Sequence, residues 1–186
     1  MRSLVRIAAI AFAALIVSAA AKPTYIPLGK YGEGVVNPAN SGLKFRRFDS
    51  YDSAHFDGQV LLEGVFIIDC ADCEPGIKGT RLHLSIVPDS WIAARLPRWK
   101  KHDNDIAVDI SGADSLLRTI VSPAKRWLLL SGKLDEIRGR TAIIVDRYTA
   151  SLDCDSADYS AHFLAVAKRA KYAGIKTDGN YGCGFA

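Results

Sequence analysis

The run Asp69-Cys70-Ala71-Asp72-Cys73-Glu74-Pro75-Gly76 places two cysteines in a C-x-x-C pair just after the apolar stretch Val65-Phe66-Ile67-Ile68. Thiols at that spacing can cycle between dithiol and disulfide, supply half of a metal site, or staple a turn. The redox use needs the pair at the start of a helix, where the dipole lowers the thiol pKa. Here Glu74-Pro75-Gly76 reads as a turn and another strand-like run follows, so the helix is missing. A zinc site wants a second closely spaced pair, whereas Cys154 and Cys183 stand far apart. The even set of four, Cys70, Cys73, Cys154 and Cys183, therefore points to two disulfides. The favoured pairing is Cys70–Cys73 across the turn and Cys154–Cys183 fixing the Gly-rich tail. Cys70 or Cys73 to Cys154 is an open alternative.

Other chemistry is sparse. His55, His83, His102 and His162 are scattered, with no H-E-x-x-H, and no G-x-S-x-G elbow is present. His83 falls on the polar side of an alternating run and reads as solvent-facing. Asp153 and Asp155 flank Cys154 at the i, i+2 spacing that shares one face of an extended chain, a pattern that turns also produce. No catalytic residue, metal or cofactor is expected. One stretch does combine cations with aromatics: Trp91, Arg95, Arg98, Trp99, Lys100 and Lys101, followed by His102, with Lys125, Arg126 and Trp127 further on. An exposed Trp99 among these cations would stack a ring or meet an anionic partner. The plainer reading turns Trp91 and Trp127 into the core and leaves Lys100 and Lys101 in solvent near Asp103 and Asp105.

The elements that would position these residues are short. Residues 1–21 have the three parts of a cleaved export signal: Arg2 and Arg6, the apolar run Ile7–Val17, and the small residues Ser18-Ala19-Ala20-Ala21. That run is too short to span a bilayer. The mature chain is thus expected to be periplasmic or secreted, with no transmembrane segment left. The formal charge of +4 falls to +2 when Arg2 and Arg6 leave, 22 cations against 20 anions, an ordinary balance that does not mark a polyanion binder. Residues 22–50, rich in Pro, Gly and Asn, read as an irregular lead-in. Residues 51–186 read as one β-rich domain with a C-terminal helix and tail. Within it Val60–Ile68, with Gly64 marking a bulge or bend, pairs as a hairpin with the run in which Leu82, Leu84 and Ile86 alternate with polar residues. Asp89 or Ser90 caps a short helix that Pro97 stops. Ile106, Val108 and Ile110 alternate, Ala113–Ser122 gives one or two helical turns, Lys125–Ser131 reads as a buried strand, and Thr141–Thr149 is the clearest late strand. From Ser156 the signals conflict. Ser156 as cap, Lys168, Arg169 and Lys171 in a last turn and Gly174 beyond it fit a helix, although Tyr159, Ala161, Phe163, Ala165 and Ala167 also alternate. The helix is preferred.

The fold class is therefore mainly β, with α+β as the variant: a small barrel or sandwich carrying one or two helices. The segments Phe56–Phe66 and Ile137–Tyr148, where a Gly precedes a β-branched strand, resemble the strand openings of OB-like barrels. The chain is also similar to exported bacterial proteins that carry a cysteine pair in such a hairpin. The resemblance covers residues 56–150 and brings no catalytic motif. It implies binding of oligonucleotides, oligosaccharides or proteins, and export argues against nucleic acid. The expected function is an exported binding or interaction domain for an anionic envelope surface or an exported protein. A thiol-disulfide oxidoreductase using Cys70 and Cys73 is the alternative.

Overall fold

The computed structural model describes residues 22–28, 33–49, 52–70, 81–101, 106–153 and 156–167. The export signal, Cys73, Cys154, Cys183 and Asp155 lie outside these residues, and so do the expected disulfide pairings and tail. Among the described residues no helix is long and apolar enough to cross a membrane.

The chain is mainly β, as its short alternating runs imply. The hairpin read from Val60 onward is present: β5 (Val60–Asp69) pairs antiparallel with β6 (His83–Pro88). β6 pairs with β8 (Val108–Ser111), and β8 pairs in parallel with β10 (Ser156–Val166). β9 (Glu136–Asp153) is antiparallel to both β10 and β5. The order β5-β6-β8-β10-β9 thus returns to β5. Each strand turns one set of alternating residues inward: Leu62, Phe66 and Ile68; Leu84 and Ile86; Val108 and Ile110; Ile143 and Val145; Tyr159 and Ala161. These form one core.

Beyond the ring, the end of β9 adds β4 (Ser53–Asp57) and then β3 (Lys44–Phe48). A bulge in β9 makes this turn: Arg147 has φ 50°, and the register to β10 shifts between Ser160 and His162. A second, three-stranded sheet joins β1 (Thr24–Leu28), β2 (Glu33–Asn37) and β7 (Arg98–Trp99). The described part of residues 22–50 is therefore not an irregular lead-in. It holds three five-residue strands too short to show a period.

Two further expectations are corrected. Residues 125–130 form not a strand but most of α3 (Pro123–Leu130), which follows α2 (Asp114–Ile120). The start signal is Ser122-Pro123: the serine hydroxyl accepts from the Lys125 amide, and proline suits the first helical position. Residues 156–166 form not a helix but β10, because β8 and β9 offer ladders on both sides and Tyr159 and Ala161 point inward between exposed neighbours. The basic residues Lys168, Arg169 and Lys171 lie outside the described residues. α1 (Ser90–Ala93) is the short helix expected before Pro97.

Tyr148 ties the sheets together. It is fully buried, stacks on Tyr159 at 6.2 Å and donates its hydroxyl proton to the Pro97 carbonyl at 3.0 Å. Burial first, then Tyr159, pushes its pKa well above the usual tyrosine value, so the hydroxyl remains a donor. Tyr148→Phe leaves that buried carbonyl without its partner and should cost about 1 kcal/mol. Urea denaturation should show this as a lower midpoint with an unchanged slope.

Candidate functional site

The cation-aromatic stretch runs through α1 and β7, and period two decides its fate. Trp99 and Arg98 are neighbours on a strand, so they face opposite sides. Trp99 turns inward with its cross-strand partner Val35. It is 1% exposed and lies 6.4 Å, centroid to centroid, from Phe48. The expected exposed stacking platform at Trp99 is therefore a core residue. The other two tryptophans are reversed as well: Trp91 is 51% exposed and Trp127 57%, with Lys133 Nζ 4.6 Å over the Trp127 ring. Both sit on short helices whose buried positions are taken by Ile92 and Leu129.

Arg98 turns outward with its partner Val36 into a cleft of about 440 Å³ between the three-stranded sheet and the end of α1. Pro23, Val36, Pro38, Ala39 and Ala94 supply an apolar lining, and Asn40 and Arg98 supply the polar groups. Arg95 reaches the same rim and donates from Nε and Nη2 to the Asn40 carbonyl at 3.2 and 3.0 Å. Side-chain hydrogen bonds hold the β2 end there. Asn37 donates to the Leu43 carbonyl and accepts from Ser41, whose oxygen in turn accepts the Leu43 amide. Of the six residues singled out, the fold thus brings Arg95 and Arg98 to one cleft. Lys100 lies over Tyr25 at 5.4 Å and Lys101 pairs with Glu33 at 3.1 Å. Trp91 does not line the cleft, and Trp99 lies in the core. An apolar pocket of this size with one guanidinium suits an amphipathic anion.

Histidines carry the rest of the polar chemistry, which the sequence did not reveal. His83 on β6 is not simply solvated: its Nδ1 lies 3.2 Å from Asp69 Oδ1 on β5, and its Nε2 3.1 Å from Asp109 Oδ1 on β8. Asp109 has its pKa raised, chiefly by burial and then by Asp158 and Asp69, against the lowering effect of His83. His162 Nδ1 meets Asp146 at 3.2 Å. His55 lies between Asp49, at 2.9 Å from Nε2, and the Thr149 hydroxyl, at 3.2 Å from Nδ1. That chain has the carboxylate, imidazole and hydroxyl of an acyl-transfer relay. Thr149, however, is paired on both edges, to His55 and Ser160, in the middle of β9. Its contacts join β4 to β9.

Cys70 follows β5 directly, half-buried and packed against the core.

The fold and the cleft together define a mainly β domain with a small ligand-sized pocket. Comparison with family models, with curated proteins and with solved structures finds no match for this chain.

Proposed function

We propose that this protein is an exported, disulfide-stapled, OB-like binding domain, and that its ligand is a small amphipathic anion seated beside Arg98. The observation that carries the binding reading is the cleft itself: five apolar residues lining it together with the Arg98 guanidinium, on a rim where Arg95 bonds the Asn40 carbonyl. The OB-like reading is supported by five strands that pair in a closed order, with α2 and α3 between the third and fourth of them. The export reading rests on residues 1–21 and on the even cysteine count. An anionic envelope component fits both the location and the cleft.

The test is titration of the purified chain with anilinonaphthalene sulfonate, an apolar anion, followed by fluorescence. Arg98→Ala should weaken binding by about 10-fold or more, the worth of a charged hydrogen bond. Arg98→Lys should retain part of it, and Ala94→Trp should block the cleft. Trp91→Ala, outside the cleft, should bind as wild type. Wild-type affinity in both Arg98→Ala and Ala94→Trp would reject this site.

A further inference from the structure

The strands of the ring are not equally joined. Ten residue pairs link β5 to β9 and nine link β9 to β10, but four link β8 to β10 and two, Ser85↔Asp109 and Ile86↔Val108, link β6 to β8. The β6–β8 seam is thus the shortest ladder in the closed order. It is here that His83 reaches across to Asp109, while its other nitrogen holds Asp69 on β5.

Counting protons makes this contact unusual. A carboxylate oxygen only accepts hydrogen bonds, and a neutral imidazole has one N–H and one lone pair. Both ring nitrogens of His83 face carboxylate oxygens at hydrogen-bond distance. Satisfying both contacts takes two donated protons, so either the ring is an imidazolium or one carboxyl carries a proton and donates it to the ring. Both arrangements place one proton more in the Asp69–His83–Asp109 set than a neutral ring between two carboxylates would carry. His55 makes no such demand, since its second partner is the Thr149 hydroxyl, which can donate or accept.

We infer that Asp69, His83 and Asp109 form a proton-operated clasp over the β6–β8 seam: protonated, it holds the ring closed, and its deprotonation loosens that seam. When the proton leaves for solvent, one His83–carboxylate contact becomes lone pair against lone pair. The charges around it then repel. Asp158 on β10 acts on Asp109, and Glu136 on β9 stands opposite Asp69, itself held by Arg138. His162, on β10 beside β8, is bonded to Asp146. The sign is fixed by proton binding. The folded chain holds a proton that the unfolded chain releases more readily, so stability is full while the clasp is protonated and falls as pH rises. The raised pKa of Asp109 acts in the same direction.

The test is thermal unfolding at about pH 5.5 and about pH 8, which bracket the interval where histidine changes charge. Relative to His83→Gln, wild type should lose a further 2–4 °C or so between the two, for a domain of this size. Asp109→Asn should lose the same pH dependence yet stay at least as stable as wild type at the higher pH, because its amide N–H can donate to a neutral Nε2. Nitrogen-15 spectra of the wild-type ring give a reading free of variants: both His83 nitrogens should be protonated at the lower pH, or one should be bonded to a protonated Asp109. A wild-type pH slope in both variants would overturn the clasp. So would a neutral His83 beside an ionised Asp109 at the lower pH.

Discussion

Trp99→Ala should cost about 3–5 kcal/mol, the range for emptying a buried aromatic site. That is a large share of the 5–15 kcal/mol that holds a typical domain together. Trp99 heads the fully buried side chains by volume, and it is held by a strand only two residues long. Its loss would remove the contact through which β7 reaches Phe48 and Val35. Urea or thermal unfolding should show the whole effect. A surface stacking platform would behave differently, losing ligand with stability intact. The indole N–H is buried without a hydrogen-bond partner among the described residues. Trp99→Phe should therefore cost much less than the alanine variant, since it removes that unsatisfied donor while keeping most of the ring.

Gly64→Ala is expected to be nearly as damaging, though it adds a single methyl group. A Cβ at Gly64 would lie 2.8 Å from Pro88 Cα and press on the Val87 backbone, closer than real Cβ atoms approach. These are main-chain atoms of the paired strand, fixed by the ladder that runs through Gly64↔Pro88 and on the other side through Gly64↔Thr141. No side chain can swing away to make room. The cost should fall at the upper end for overpacking, about 3 kcal/mol, read as a lower denaturation midpoint. Melting within a degree of wild type would show that β6 can shift, contrary to this packing.

These two residues also show how much was legible in advance. Gly64 stood out as a glycine inside a strand, but the bulge read there is not what it makes. The register is continuous there, and the glycine serves a tight backbone approach. The strands with a clear period of two, at Leu82–Ile86, Ile106–Ile110 and Thr141–Thr149, and the β5–β6 hairpin could all be read directly. Elements whose period conflicts with their end signals could not. In α3 the apolar Trp127-Leu128-Leu129-Leu130 run read as a strand, and Ser122-Pro123 read as the end of the helical turns before it. In β10 helix-like ends outweighed a true alternation. Strands of five residues between prolines and glycines show too few positions to reveal any period. For the site, the cation cluster was visible, but two of its six residues converge on the cleft. Trp99 and Arg98, adjacent on one strand, could never both have faced a ligand. The clasp at His83 was invisible because its three members lie on three strands, and only the pairing register brings them together.

The length of β9 has a consequence for how the molecule comes into being. One strand of eighteen residues meets β5, then β4, along one edge and β10 along the other. Until it has emerged from the ribosome, β4 and β5 lack a principal neighbour, and the β5–β9 ladder that joins the two hairpins of the ring spans a long stretch of chain. Assembly of this kind has high contact order and is slow. The ring must therefore stay open until β9 and β10 have been made, and it closes late.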